Sequence, residues 1–295
     1  MNPGRAAAAP GAVPSAEGVT RAPVIPSVDW WITSRCNLAC DFCYGPVPGR
    51  DPVELRDQIL EALAASAASV VTFCGGEPLL VRKIGDYASA LRDGSKSTVL
   101  NTNGTLLRRR LDQGLKFPFT MVGISIEGST QEVHGAMRGQ GADLAEALDA
   151  ARYIAAAPQI SLKVATVVSS VNRDDLPSLA RVMRGLRPDI WRLYQYSSRG
   201  PQNSGQRRHH LSEAEFQEIA DEVGTLASPV SVAGSSESQT QGCLIVDPQG
   251  NVLQPSGDDY IRVGNCLNEP LDEIWNKLPA RSTIIDNKRW LSILN

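Results

Sequence analysis

Three cysteines in the run Cys36-Asn37-Leu38-Ala39-Cys40-Asp41-Phe42-Cys43-Tyr44 carry the strongest chemical signal in the sequence, a CxxxCxxC spacing that puts three thiols on one short loop. Thiolate is the ligand that holds iron–sulfur clusters, and four of them saturate a [4Fe–4S] cube, so a local trio leaves one iron open to another ligand. An open iron points to chemistry at the cluster and not to electron storage alone. Zinc also takes thiolates, but it closes its shell with a further Cys or His, and the nearest histidine is the distant His134. A second signal, Cys74-Gly75-Gly76-Glu77-Pro78, follows the apolar strand Val70-Val71-Thr72-Phe73. Its glycines allow close backbone approach at a strand end, and Glu77 can accept hydrogen bonds from an ammonium.

The cysteine run resembles the cluster loop of the radical S-adenosylmethionine (radical SAM) superfamily, including the aromatic Phe42 before the last cysteine. That resemblance implies one [4Fe–4S] cluster on Cys36, Cys40 and Cys43, whose open iron chelates the methionine part of SAM. One electron then splits the sulfonium to a 5′-deoxyadenosyl radical, so an electron donor such as flavodoxin or ferredoxin is implied as partner. Residues 75–78 resemble the family's GGEP motif, which places Gly75, Gly76 and Glu77, with Phe42 and Tyr44, around SAM. Asn101 and Asn103 resemble the strand-end polar cluster near the ribose, although Asn103-Gly104 is equally a turn signal. Ser125 and Glu127 occupy alternate positions of one strand and so face the same way. Relatives commonly carry Asp at the second of these, and Glu127 moves the charge outward by one methylene. Arg138 resembles the arginine that pairs with the SAM carboxylate, a role suited to a planar fork of donors.

These residues need a scaffold, and strand-like and helix-like segments alternate to supply one. Strands are expected over 28–33 and near 69–74, 97–101, 120–126, 160–168 and 189–195, with helical patterns near 81–92, 105–115, 141–156, 174–185 and 212–226. Asp51-Pro52-Val53-Glu54 reads as a helix start with Asp51 as N-cap. The alternation makes the fold class α/β, a parallel barrel or part of one; the radical SAM resemblance implies a partial (βα)6 TIM-type barrel, here with a small C-terminal β-hairpin and helix extension. Catalytic groups of such barrels gather at the C-terminal strand ends, where the cysteines, Gly75 to Glu77, Asn101 to Gly104, Ser125 to Glu127, Ser169-Ser170 and Gln195 all fall. The domain reading is a disordered tail over 1–27, a barrel over 28–228 and a lid-like extension over 229–295. With 295 residues at 42% hydrophobic the chain can bury a full core. A net charge of −3 gives no basic footprint for nucleic acid. No apolar run is long enough for a membrane span, and thiols committed to an oxygen-sensitive cluster suit a reducing, cytoplasmic setting.

The extension resembles the SPASM or twitch region of radical SAM enzymes, which usually binds auxiliary clusters. Here Pro255-Ser256 stands where relatives place Pro-Cys, so only Cys243 and Cys266 remain, with Cys74 far off in sequence, and an auxiliary cluster lacks ligands. A leftover thiol can instead give a hydrogen atom to a carbon radical. If the radical forms on one face of a ring carbon and is quenched from the other, the centre inverts with no net redox change. Cys243, at the start of the expected hairpin, is the first donor candidate and Cys266 the second, against the ordinary reading of a cysteine as a small buried hydrophobe. Cys74 sits on the SAM side.

Two families compete for the substrate. Trp191 to Gln195 with Gly200-Pro201-Gln202-Asn203-Ser204-Gly205 resembles the viperin-type nucleotide dehydratases, but Ala165 stands where that family has an Asn and Ile190 where it carries an Arg toward the triphosphate. A triphosphate needs converging cations, and Asp247, Asp258 and Asp259, with Gln195 at a strand end, instead favour a neutral or cationic substrate. The lone lid cysteine and this polarity resemble the aminoglycoside epimerases of the neomycin type, which implies an isomerase acting on a sugar-containing small molecule in antibiotic biosynthesis. A peptide-modifying enzyme is a third possibility, weakened because nothing resembles a leader-peptide-binding domain.

Overall fold

The computed structural model describes Ile25, Asn203 and residues 27–45, 51–200, 207–230, 232–235 and 243–278. Most of the expected tail, most of the Gly200 to Gly205 run and the last residues of the expected extension lie outside them. Seven strands, β1 (Ser27–Thr33), β2 (Val70–Gly75), β3 (Ser97–Thr102), β4 (Met121–Ser125), β5 (Ser161–Val168), β6 (Ile190–Gln195) and β7 (Val232–Ser235), pair in parallel and in sequence order. Helices α1 (Arg56–Ala65), α2 (Ile84–Asp93), α3 (Leu107–Asp112), α4 (Gln131–Arg138), α5 (Leu144–Ala155), α6 (Leu176–Leu186) and α7 (Glu213–Ala227) connect them. β8 (Leu244–Val246) then pairs in parallel with β1, and β9 (Asn251–Ser256) and β10 (Asp259–Asn265) follow antiparallel, before α8 (Leu271–Lys277). The result is one open sheet in the order β10-β9-β8-β1-β2-β3-β4-β5-β6-β7.

Alternation along the strands separates two environments. Val28, Trp30 and Ile32 of β1, Val71 and Phe73 of β2, Leu100 of β3, Val122 and Ile124 of β4, and Trp191 and Leu193 of β6 share one face and are fully buried with the helices. Each such side chain stabilises by roughly 1.5–3 kcal/mol, and Phe73→Ala would cost about 3–5 kcal/mol. The opposite face carries Asp29, Thr72, Cys74, Asn101, Lys163, Arg192 and Tyr194, a polar lining that the core could not tolerate.

Local signals explain most helix ends. Thr130 accepts from the Val133 N–H, Asp143 from the Glu146 N–H, and Ser212 and Glu215 form a capping box. Asp51 does otherwise. A 3-10 turn over Val53–Leu55 precedes α1, and the Asp51 carboxylate binds Arg56 at 2.7 Å and the Thr33 hydroxyl at 2.8 Å. It therefore ties the start of α1 to the end of β1 and caps nothing. The sequence reading lacked α4, β7 and β10. The hairpin also departs from a separate lid, because β8 extends the barrel sheet from the free edge of β1.

Candidate active site

The cysteine loop leaves the end of β1 and is fixed from two sides. On one side, the Gly76 N–H donates to the Thr33 carbonyl at 2.8 Å and the Glu77 N–H to the Arg35 carbonyl at 2.8 Å. Gly75 has φ +115°, and a Cβ on Gly76 would lie 2.1 Å from the Arg35 oxygen, so only glycine permits this approach. On the other side, Asn203 is fully buried and its amide donates to the carbonyls of Phe42 at 3.2 Å and Cys43 at 2.9 Å. Asp41 meets His209 Nε2 and Arg208 Nη1, each at 2.9 Å. Phe42 packs with Met137 and Tyr196.

Within the loop, the N–H groups of Leu38 and Gly45 donate to the sulfurs of Cys36 and Cys43 at 3.4 Å each, as suits thiolates. Burial pushes the Cys40 thiol up to about 12 and raises Cys36, and the neighbouring sulfurs add to both shifts. A bound cluster reverses that logic, since a metal holds its thiolates deprotonated. Among the described residues no three His, Cys, Asp or Glu side chains are close enough to share a single ion. A four-iron cube instead takes each thiolate on a different iron.

The expected SAM residues gather around this loop. Glu77 is buried and accepts from the Leu79 N–H at 3.0 Å, the Thr102 hydroxyl at 2.8 Å and the Asn103 N–H at 2.9 Å. Its carboxylate thus locks the end of β3 to the glycine loop. Asn103 donates to Asn37 at 2.9 Å, which links the same strand end to the cysteine loop. Glu127 is buried and paired with Arg138, whose Nη2 and Nε lie 2.8 and 3.1 Å from one oxygen, while its other oxygen accepts from the Val167 N–H at 2.7 Å. Burial raises the Glu127 carboxyl against the pull of Arg138. Arg138 also stands over the Phe42 ring at 5.7 Å, and its Nη1 makes no hydrogen bond among the described residues, so an anionic ligand such as a carboxylate can be met there. His134, missed in the sequence, accepts the Glu127 N–H on Nδ1 at 3.2 Å and is pushed down to about 4 by burial. Ser125 is half-buried on the inner face. Asn101 keeps a buried Oδ1 with no partner beside Gly123 and the Lys163 stem, an orphan acceptor aimed into the barrel.

Deeper in the barrel stands a second polar group. Cys243 precedes β8 and its Sγ donates to Asp29 Oδ2 at 3.5 Å. Because Leu244 pairs with Val28 near the start of β1, this thiol lies toward the strand end opposite the cysteine loop. Asp29 also receives the Thr72 hydroxyl and feels Lys163, yet burial raises its carboxyl. An acid inside Val28-Asp29-Trp30-Trp31-Ile32 was a legible signal that periodicity alone passed over. Cys266, by contrast, belongs to the apolar core and is pushed up to about 12 by burial.

The acids expected at the substrate stand elsewhere. Asp247 builds the β8–β9 turn, accepting from the N–H groups of Gln249 and Asn251 and from the Asn251 amide. Asp258 accepts the Ser198 hydroxyl at 2.7 Å while its carbonyl takes the Gly200 N–H at 2.9 Å. Asp259 is exposed and accepts its neighbour's N–H at 2.7 Å, and Gln195 donates to the Leu211 carbonyl at 3.0 Å. None of these carboxylates is free within the barrel. The β9–β10 tip instead reaches the segment after β6, with Arg199 Nε on the Gly257 carbonyl at 3.1 Å and Tyr260 on the Tyr44 carbonyl at 3.2 Å.

Comparison with known proteins places this geometry. Residues 31–183 match the family model described as the Radical SAM superfamily. The chain is 23% identical to the AdoMet-dependent heme synthase of Nitratidesulfovibrio vulgaris, covering 90% of this chain and 84% of that one. It is 26% identical to the S-adenosylmethionine-dependent nucleotide dehydratase of Lacinutrix mariniflava, covering 86% of this chain but 58% of that relative's length. Its fold matches that of SuiB of Streptococcus suis bound to the precursor peptide SuiA, with a TM-score of 0.72 at 14% identity over 91% of this chain and 68% of that one. No described helix is long and apolar enough to cross a membrane.

Proposed function

We propose, on the premise that this chain belongs to the radical SAM superfamily, that it is an epimerase of a sugar-containing, amino-substituted small molecule with Cys243 as hydrogen-atom donor. Its cofactors are a [4Fe–4S] cluster and SAM, which supply a 5′-deoxyadenosyl radical when bound and reduced. Cys36, Cys40 and Cys43 hold the cluster, and the Gly75-Gly76 backbone and Arg138 receive SAM. The reading rests on one observation, the Cys243 thiol on the inner face of the barrel, toward the end away from the cysteine loop. A substrate between the two would lose a hydrogen atom on one face and regain one from the other. Asp29 replaces the hairpin acids as the carboxylate that faces such a substrate.

Cys243→Ala tests it. The variant should assemble its cluster and cleave SAM in the presence of an aminoglycoside panel, but yield no inverted product. The wild type in deuterated water should place one deuterium at the inverted carbon, because a thiol exchanges with solvent. Full product formation by the variant would remove Cys243 from the reaction. A second reading, nucleotide dehydration, draws on the similarity to the Lacinutrix enzyme and on the inward-facing Lys163 and Arg192. 5′-Deoxyadenosine formation stimulated by CTP and by no aminoglycoside would select it.

A further inference from the structure

We infer that Asp29 is a positioning residue for Cys243: its carboxyl group takes the thiol's hydrogen bond, keeps the sulfur protonated on the barrel's inner face, and returns a proton to it after each hydrogen-atom transfer. The inference rests on the donor reading above and extends it to a residue outside the cysteine set. Geometry carries it. Cys243 Sγ lies 3.5 Å from Asp29 Oδ2; Asp29 is on β1 and Cys243 directly precedes β8, and the parallel pairing of Val28 with Leu244 and Asp29 with Ile245 fixes their register. The alternation of β1 puts Asp29 on the inner face while Val28 and Trp30, its neighbours, are fully buried on the outer one.

The groups that face the pair are Thr72 and Cys74 on β2, Lys163 on β5, and Tyr44 and Tyr260 at the barrel mouth. Burial raises the Cys243 thiol, and the Asp29 charge and hydrogen bond raise it further. Both effects favour S–H, the form that can give up a hydrogen atom. Lys163 works the other way on Asp29 and offsets part of what burial does to its carboxyl.

The substrate carbon radical takes H from the Cys243 S–H bond, a C–H bond forms, and a thiyl radical remains. A one-electron donor of the class that reduces the cluster converts the thiyl to a thiolate. The Asp29 carboxylate takes a proton from water and passes it to that thiolate, ending as the carboxylate it was.

The test reads the thiol itself and needs no substrate. Anaerobically reconstituted holoenzyme is treated with iodoacetamide across a pH series, and Cys243 alkylation is followed by peptide mass spectrometry in wild type, Asp29→Asn and Asp29→Glu. In Asp29→Asn the Cys243 profile should move to lower pH, with alkylation at a fixed alkaline pH about tenfold faster, the equivalent of one pKa unit. Asp29→Glu should restore slow alkylation. Cys266 in the same digests serves as the unmoved control. Superimposable wild-type and Asp29→Asn profiles would overturn the inference, as would, should the variants fail to hold a cluster, a wild-type Cys243 that titrates like an ordinary exposed thiol. A shifted profile without any sugar inversion by the wild type would leave the Asp29–Cys243 pairing standing and remove the epimerase reading.

Discussion

Under the proposed function, Arg138, paired with the buried Glu127, serves both stability and binding. Arg138 gives two of its nitrogens to Glu127 and leaves a third toward the cysteine loop. Truncating one partner of a buried pair strands the other's charge at about 3–5 kcal/mol. Glu127→Ala should therefore lower the unfolding midpoint of the reconstituted protein strongly and weaken SAM binding at the same time, read by thermal denaturation and equilibrium dialysis. A variant with native stability would mean that Arg138 finds another partner. His134, which receives the Glu127 N–H, adds a pH dependence. Its ordinary value near 6.5 falls to about 4 in the fold, so between these limits the unfolded chain binds a proton that the folded one refuses. Stability is fully present above about 6.5 and is lost as pH falls toward 4, by up to roughly 3 kcal/mol. The buried carboxyls of Glu77 and Glu127, raised in the fold, push the other way in the same window. The comparison with His134→Gln isolates the histidine: urea unfolding at pH 7 and pH 4.5 should give a smaller loss in the variant, and equal losses would count against the histidine's role.

At the scale of elements, the cysteine loop is a short irregular segment held by its neighbours. Asn203 alone supplies two of its backbone contacts from the connection after β6, at 3.2 and 2.9 Å, and Arg199 accepts a third from the same amide at 2.9 Å. Loss of that amide leaves buried carbonyls unpaired at about 1–3 kcal/mol each. Asn203→Ala should accordingly fold but bind less iron on reconstitution, while an iron content equal to wild type would show that the glycine loop suffices. Six of the parallel strands were legible in the sequence because apolar residues recur on one face and turn signals bound them. The cysteine loop and the glycine loop were legible because their spacing is local. What was not legible is the clamp, since Asn203 and His209 acquire their roles from partners 160 and 168 residues away, and Asp29, an acid visible inside its apolar strand, acquires its role from a thiol 214 residues on. Short α4 and the edge strands β7 and β10 escaped for a related reason, as each depends on tertiary pairing more than on its own pattern. The acids Asp247 and Asp258 looked like ligands only because a turn or latch carboxylate and a substrate carboxylate have the same composition.

Among the described residues the molecule is one open sheet, and the β9–β10 hairpin at one edge reaches across to the segment after β6. Gly257 and Asp258 hold the segment after β6, and Tyr260 spans to the carbonyl of Tyr44 while its ring meets Trp31 edge-on with centroids 5.2 Å apart. A sheet that does not close by strand pairing thus closes its mouth with side chains, next to the loop that carries the thiolates. Closure matters for radical chemistry because water and oxygen that reach the site divert reactive species. Tyr260 is the residue to remove, since it touches both the cysteine loop and β1 while standing on the hairpin. Tyr260→Ala loses one hydrogen bond and one aromatic contact, together about 1–3 kcal/mol, too little to unfold a sheet of this size. The variant should bind a full cluster under anaerobic conditions, then lose cluster absorbance in air several times faster than wild type. Tyr260→Phe, which keeps the ring against Trp31, should fall between them. Equal bleaching rates in all three proteins would mean that the hairpin does not shield the site, and that the mouth is closed by other parts of the chain.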